Sequence, residues 1–212
     1  MVTAEWYFDF VSPFAYLQLP ALAHVRTLAH VRMRPVVFAG ILQDNGQKGP
    51  AEIPQKRRFT YRHVQWLAES HAIPLRFPPA HPFNPLRALR LSVALHSEPQ
   101  VVSTIFRHIW QEGRSPDEPA DWQHLCASLG VTDADSRISE QWVKDELREN
   151  GNRARAAGVF GVPSLVIHGE IFWGADATGM ALDYLRDPER FRTGEYARVA
   201  DLPVGAQRRS AQ

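Results

Sequence analysis

Thiols are almost missing from this chain. Cys126 is the only cysteine among 212 residues, so an internal disulfide, a C-x-x-C redox pair and a cysteine-based zinc cluster are all excluded. An excess of one charge is missing too: 24 Lys+Arg against 23 Asp+Glu leave a formal net charge of +1. A dedicated nucleic-acid binder would show a strong basic surplus, and an acidic solvating chain the reverse. No apolar run approaches the roughly 20 residues needed to cross a bilayer. The Met-Val-Thr-Ala-Glu start has no basic stretch leading into an apolar one, so no signal peptide is read there. The nine histidines fall in no H-E-x-x-H or comparable spacing, so no metal site is expected. There is neither a P-loop nor a G-x-G-x-x-G. What remains has 44% hydrophobic and 22% charged residues, ordinary globular usage. A reducing, cytoplasmic compartment is expected, with no nucleic-acid or membrane partner.

Periodicity then orders the chain. Val2, Ala4, Trp6, Phe8 and Phe10 alternate with polar or mixed neighbours, the pattern of a strand over 2–10. Ser12-Pro13 follows, with a hydroxyl at the N-cap and proline at the first helical position. The stripe Phe14, Leu17, Ala21, Val25 and Leu28 predicts a helix kinked at Pro20. Met33–Ala39 reads as a second strand, parallel to the first through a right-handed crossover. Residues 43–56 are rich in turn formers and read as a loop. Helical segments follow near 56–70, 84–97, 100–112, 121–129 (Asp121 as N-cap) and 136–157, where Asn150-Gly151-Asn152 is a candidate break. Ser164–Ile167 and Glu170–Trp173 flank His168-Gly169, a tight hairpin. A last helix starts at Asp176 or Thr178. This predicts an α/β sheet domain from residues 1–40 and 158–200, a helical domain inserted at 41–157, and a tail at 201–212.

Three segments carry a resemblance. Tyr-Phe-Asp-Phe-Val-Ser-Pro-Phe-Ala-Tyr-Leu (7–17), His-Pro-Phe-Asn-Pro-Leu (81–86) and Gly-Val-Phe-Gly-Val-Pro-Ser-Leu-Val-Ile (158–167), the last followed by Phe172-Trp173-Gly174-Ala175-Asp176, resemble one family. It is the DsbA-like thioredoxin branch holding 2-hydroxychromene-2-carboxylate isomerases and kappa-class glutathione transferases. The resemblance covers the chain up to about residue 187. It implies a thioredoxin-like fold with an inserted all-helical domain, glutathione as cofactor, a small aromatic carboxylate substrate walled off by the insertion, and a homodimer.

Site residues follow from the residues and the resemblance together. From spacing alone, Ser12 is an N-cap; the resemblance makes it the hydroxyl that holds the glutathione thiolate, and the catalytic residue. Pro163 is an ordinary X–Pro linkage by base rate, whereas the resemblance makes it a cis-proline that frees the Val162 backbone to pair with glutathione in the manner of an added strand. Ala175 and Asp176 are a strand end and a helix start, and by resemblance meet the γ-glutamyl end. Lys56 opens a basic run with Arg57 and Arg58; such runs are solvated faces, yet Lys56 stands where the family has a glutathione-contacting lysine, and it also suits a substrate carboxylate. Gln47 replaces a usual asparagine at a substrate position, and Gly49 a usual proline. Asn84 reads equally as an N-cap and as a wall of the substrate cavity. His81 is given a structural role and Cys126 a place in the core. The implied activity is glutathione-dependent isomerisation of 2-hydroxychromene-2-carboxylate to trans-o-hydroxybenzylidenepyruvate. A kappa-like transferase and a non-catalytic thioredoxin-fold binding module stand as alternatives.

Overall fold

A computed structural model describes residues 1–206; the last part of the expected tail, from residue 207, lies outside the described residues. Strand β1 (Val2–Phe8) alternates as its sequence requires, with Ala4, Trp6 and Phe8 facing the main core and Tyr7 facing the other side of the sheet. It pairs in parallel with β2 (Ala29–Pro35), from Val2 opposite Ala29 to Phe8 opposite Pro35. On its other edge it pairs antiparallel with β3 (Ser164–Ile167), which turns into β4 (Glu170–Trp173). The sheet order is β2-β1-β3-β4. The hairpin turn is the expected His168-Gly169, with φ of 51° and 87°. Two successive positive φ angles match the twist of paired strands.

Helices α1 (Pro13–Gln18) and α2 (Leu22–Arg26) flank a tight turn at Leu19–Ala21 that contains Pro20, so the expected kink is where the ring interrupts the ladder. After β2 the chain forms α3 (Phe38–Asp44), α4 (Pro54–Ser70), α5 (Leu86–Ala94) and α6 (Pro99–Phe106). A π-helical turn extends α6 over Arg107–Gln111. Then come α7 (Pro119–Ser128), α8 (Ala134–Arg137) and α9 (Gln141–Ala156), and after the hairpin α10 (Thr178–Arg186) and α11 (Gly194–Ala200).

Four local expectations are corrected. Strand β1 ends at Phe8, because Asp9 turns the chain toward α1. Strand β2 begins at Ala29 and stops at Pro35, so Val36 and Val37 leave the sheet and Phe38 opens a helix. The alternation Ala29, Val31, Met33 marks this strand better than the apolar run that follows it. Helix α7 begins at Pro119 with Glu118 at its N-cap position; Asp121 lies in the first turn, where its carboxylate accepts from Arg114 Nη1 (2.8 Å) and Ser115 N (3.0 Å). Helix α9 runs unbroken through Asn150-Gly151-Asn152, held by the buried stripe Val143, Leu147, Asn150 and Ala154. A helical glycine costs about 1 kcal/mol relative to alanine, less than the burial of that stripe returns.

The core joins the sheet to the helices. Phe106 of α6 lies against Trp6, Phe8 and Phe10, with ring centroids 6.1, 5.6 and 4.7 Å away. Behind the sheet a smaller apolar group brings Tyr7, Val36, Ile41, Ala154, Val162 and Val166 together. There the buried Arg34 donates to Glu5 Oε1 (3.1 and 2.9 Å) and to Asn150 Oδ1 (3.3 Å), pinning α9 to the sheet.

Candidate active site

Strand register gathers the central residues at one end of the sheet. Tyr7 pairs with Ser164 and Ser164 with Trp173. The residues after β1, before β3 and after β4 therefore emerge together: Ser12; Val162 and Pro163; Ala175 and Asp176. The Val162–Pro163 bond is cis, as is His81–Pro82. Gly174 N donates to Pro163 O (2.9 Å), which ties the loop after β4 to the proline. Gly174 has φ of +93°, and a Cβ there would collide with Asp176 Oδ1; only glycine lets the Asp176 side chain fold over this loop.

Ser12 is 6% exposed and caps α1 as expected, its Oγ accepting from Ala15 N at 3.4 Å while its own N–H donates to Asp9 O at 3.0 Å. Among the described residues the hydroxyl proton has no protein acceptor, so it is free to donate to a ligand. Gln18, at the far end of α1, is buried between Trp6 Nε1 (2.7 Å), Thr178 Oγ1 (2.9 Å) and Gly174 O (3.2 Å). That amide fixes the distance between α1 and the Ala175–Asp176 loop.

Three side chains, Asp9, His81 and Trp110, hold the Phe10–Ser12 run through contacts between distant segments. Asp9 is fully buried; its Oδ1 accepts from Val11 N (3.0 Å) and its Oδ2 from Phe38 N (2.8 Å), so it fastens the run into α1 and caps α3 from the turn that follows β1. Burial lifts its carboxyl to about 7, against the opposing pull of the Phe38, Val11 and Phe10 amides. His81 reaches Val11 O through Nε2 (2.8 Å), and Tyr61 OH lies 2.7 Å from Nδ1. A carbonyl only accepts, so Nε2 carries the proton; the Tyr61 hydroxyl proton lies between two acceptors, Nδ1 and His81 O (2.9 Å). Burial lowers the His81 pKa, which keeps this neutral form, although the bond to Val11 opposes it. Trp110 completes the support, its Nε1 donating to Phe10 O at 2.8 Å.

The outer candidates are all exposed. Lys56 is exposed in the first turn of α4 and, among the described residues, makes no ion pair; Gln47 is exposed in the segment between α3 and α4. Asn84 is exposed in the helical insertion, where Oδ1 accepts from Leu86 N (3.1 Å) and its N–H donates to Asp117 Oδ2 (3.2 Å). It caps α5 from one residue further out than expected, with Pro85 at the N-cap position. Cys126 is buried on α7, as expected. A cavity of about 430 Å³ lined by Tyr16, Arg26, His71 and Arg107 includes neither Ser12 nor Pro163 in its lining.

The Asp9 proton gives a testable pH dependence. The native carboxyl titrates near 7, whereas an unfolded aspartate titrates near ~3.9. The native state thus holds an extra proton between those values. The stabilising contribution is complete below about pH 4 and is lost as pH rises through about 7. Asp9→Asn removes this slope, so from about pH 4 to about pH 8 the urea midpoint of the unaltered protein should fall relative to that of the variant. Parallel curves would refute the assignment.

The sequence that builds this geometry matches a known family model. The model for a DSBA-like thioredoxin domain fits residues 3–186. The chain belongs to that family. Its four-stranded mixed sheet with a helical insertion is the DsbA-like thioredoxin fold that the sequence implied. Within the family, the 2-hydroxychromene-2-carboxylate isomerase of Sphingobium xenophagum is 28% identical over 194 residues, 87% of this chain and 98% of its own. Glutathione S-transferase kappa 1 of Rattus norvegicus is 26% identical over 181 residues, 77% and 80% of the two chains. A solved HCCA isomerase structure superposes with a TM-score of 0.76 at 22% identity, covering 93% of this chain and 98% of that one. These DsbA-like relatives carry the names of enzymes. No described helix of this chain is long and apolar enough to cross a membrane.

Proposed function

We propose that this protein is a glutathione-dependent isomerase acting on 2-hydroxychromene-2-carboxylate or a similar unsaturated aromatic acid. The observation that carries the reading is Ser12: a buried hydroxyl with a free proton at the start of α1, at the end of the sheet where Val162 and Pro163 also emerge, in a chain whose sole cysteine is buried elsewhere. Those groups fit a thiol-bearing tripeptide. A donor faces the place for sulfur, the Val162 backbone suits strand-like pairing, and the Asp176 carboxylate suits an amino group.

Bound glutathione would supply a thiolate that adds to the conjugated double bond, permits rotation about the resulting single bond, and leaves. Ser12 donates its proton as a hydrogen bond to the sulfur, favouring the thiolate. Ala175 and Asp176 hold the γ-glutamyl end. Lys56 attracts the carboxylate of the cofactor or substrate, and Gln47 and Asn84 supply amides on the substrate side. Asp9, His81 and Trp110 act through the backbone, bonding to Val11 and Phe10 and holding the Phe10–Ser12 run in place.

The kappa-transferase relative favours a second reading, in which the thioether is the product. Stoichiometry separates the two. With a chromene carboxylate as substrate, glutathione should be recovered unchanged after many turnovers; its loss mole for mole with substrate would favour transfer, and no turnover at all would favour a binding module. The same reading takes the protein as a homodimer in the cytoplasm, where glutathione keeps thiols reduced. Sedimentation equilibrium checks the dimer.

A further inference from the structure

We propose that His108, Glu112 and His124 form a binding site for a divalent first-row transition metal, zinc foremost, which clamps the π-helical turn to α7. None of the three is among the residues placed around Ser12, although Trp110 of the same turn backs the Phe10 carbonyl. His108 and Glu112 sit four residues apart where α6 passes through its π-helical turn, and His124 comes from the middle of α7. One ligand atom from each of the three lies within 4.8 Å of the others. His108 Nδ1 and His124 Nδ1 are each 3.8 Å from the same oxygen, Glu112 Oε2. These separations are too long for hydrogen bonds. They need only modest closure to ring one ion with bonds of about 2.0–2.2 Å.

His108 is the second, independent observation. It is 2% exposed, yet neither of its ring nitrogens has a hydrogen-bond partner. A buried imidazole with both nitrogens unpaired is costly, and coordination through Nδ1 would satisfy one of them. Glu112 and His124 have side chains 42% and 45% exposed, which leaves an entry path and room for water as a further ligand. Two imidazoles and one carboxylate are the donors that zinc accepts, and they suit calcium or magnesium poorly.

Arg114 works against the ion. Its Nε donates to Glu112 Oε2 (3.1 Å) and its Nη1 to Asp121 Oδ1 (2.8 Å), so a cation arriving between the histidines shares that oxygen or turns Arg114 toward Asp121 alone. Removing Arg114 should therefore strengthen binding. No sequence spacing announces the trio, since His124 joins the other two only through helix packing. Motif spacing predicts no metal site, and a bound ion here would revise that expectation.

The test titrates the full chain, free of any polyhistidine tag, with zinc chloride in a calorimeter. One equivalent should bind. His124→Ala and Glu112→Gln alter half-exposed side chains and should each weaken binding by more than the roughly 10–100-fold typical of losing an outer support. Arg114→Gln should tighten it, while His71→Ala, an exposed histidine elsewhere, should change nothing. Added zinc should raise the melting temperature of the unaltered protein and not that of His124→Ala. No binding, or binding indifferent to His124 and Glu112, would overturn the site. Turnover equal with and without zinc is compatible with it, so the outcome stands apart from the isomerase reading.

Discussion

Ser12→Ala should lower glutathione-dependent turnover by roughly 100-fold, the usual loss when one buried donor to a developing or bound anion is removed. The argument rests on what the alanine keeps. The Ser12 N–H still donates to Asp9 O, and Pro13 still opens the helix. Only the hydroxyl goes. Its cap to Ala15 N is long, at 3.4 Å, so the stability cost should sit near the lower end of the ~0.5–2 kcal/mol for lost N-caps. Turnover should therefore fall far more than the melting temperature does. The pH profile should also move: with no donor on the sulfur, the rate should rise toward the ~8.5 of an unassisted thiol. Equal rates and superimposable pH profiles for the two proteins would remove Ser12 from the chemistry.

Trp110→Ala should cost about 3–5 kcal/mol of stability, the range for a fully buried aromatic. Trp110 has no exposed surface, and its ring meets Phe77 and His81 edge-on at 5.4 Å each. Its removal also strands the Phe10 carbonyl, whose indole partner lies 2.8 Å away. For a chain of this size, each 1 kcal/mol is roughly 2–4 °C in melting temperature, so the drop should be large in a thermal scan. Trp110→Phe separates the two causes by keeping most of the volume and losing the N–H. It should cost about 1–3 kcal/mol and raise the KM for glutathione, because Phe10 leads directly into Ser12. A drop confined to stability would make Trp110 a core residue only.

Elements with local punctuation were legible. The β1 alternation, the Ser12-Pro13 start, the Pro20 kink and the His168-Gly169 hairpin each follow from a few adjacent residues. Helix α3 was hidden because its cap comes from Asp9, 29 residues from Phe38. Helix α9 looked breakable because Gly151 is visible in the sequence, whereas the Asn150 bond to Arg34 is not. The same division holds at the site. Ser12, Val162, Pro163, Ala175 and Asp176 stand beside turns that sequence marks. Asp9, Gln18 and Trp110 act through contacts between distant segments, so their part emerges only in three dimensions. Asp9 in particular sits in the polar phase of an apparent strand, where a carboxylate passes for a solvent-facing residue.

The packing of Phe106 against Trp6, Phe8 and Phe10 constrains how this architecture can diversify. Excising the helices, or grafting in those of a homologue, would strip the inner wall from the strand that leads to the reactive end. Tailoring toward a new compound is thus freest on surfaces turned away from that aromatic stack, and the two halves should melt as one cooperative body.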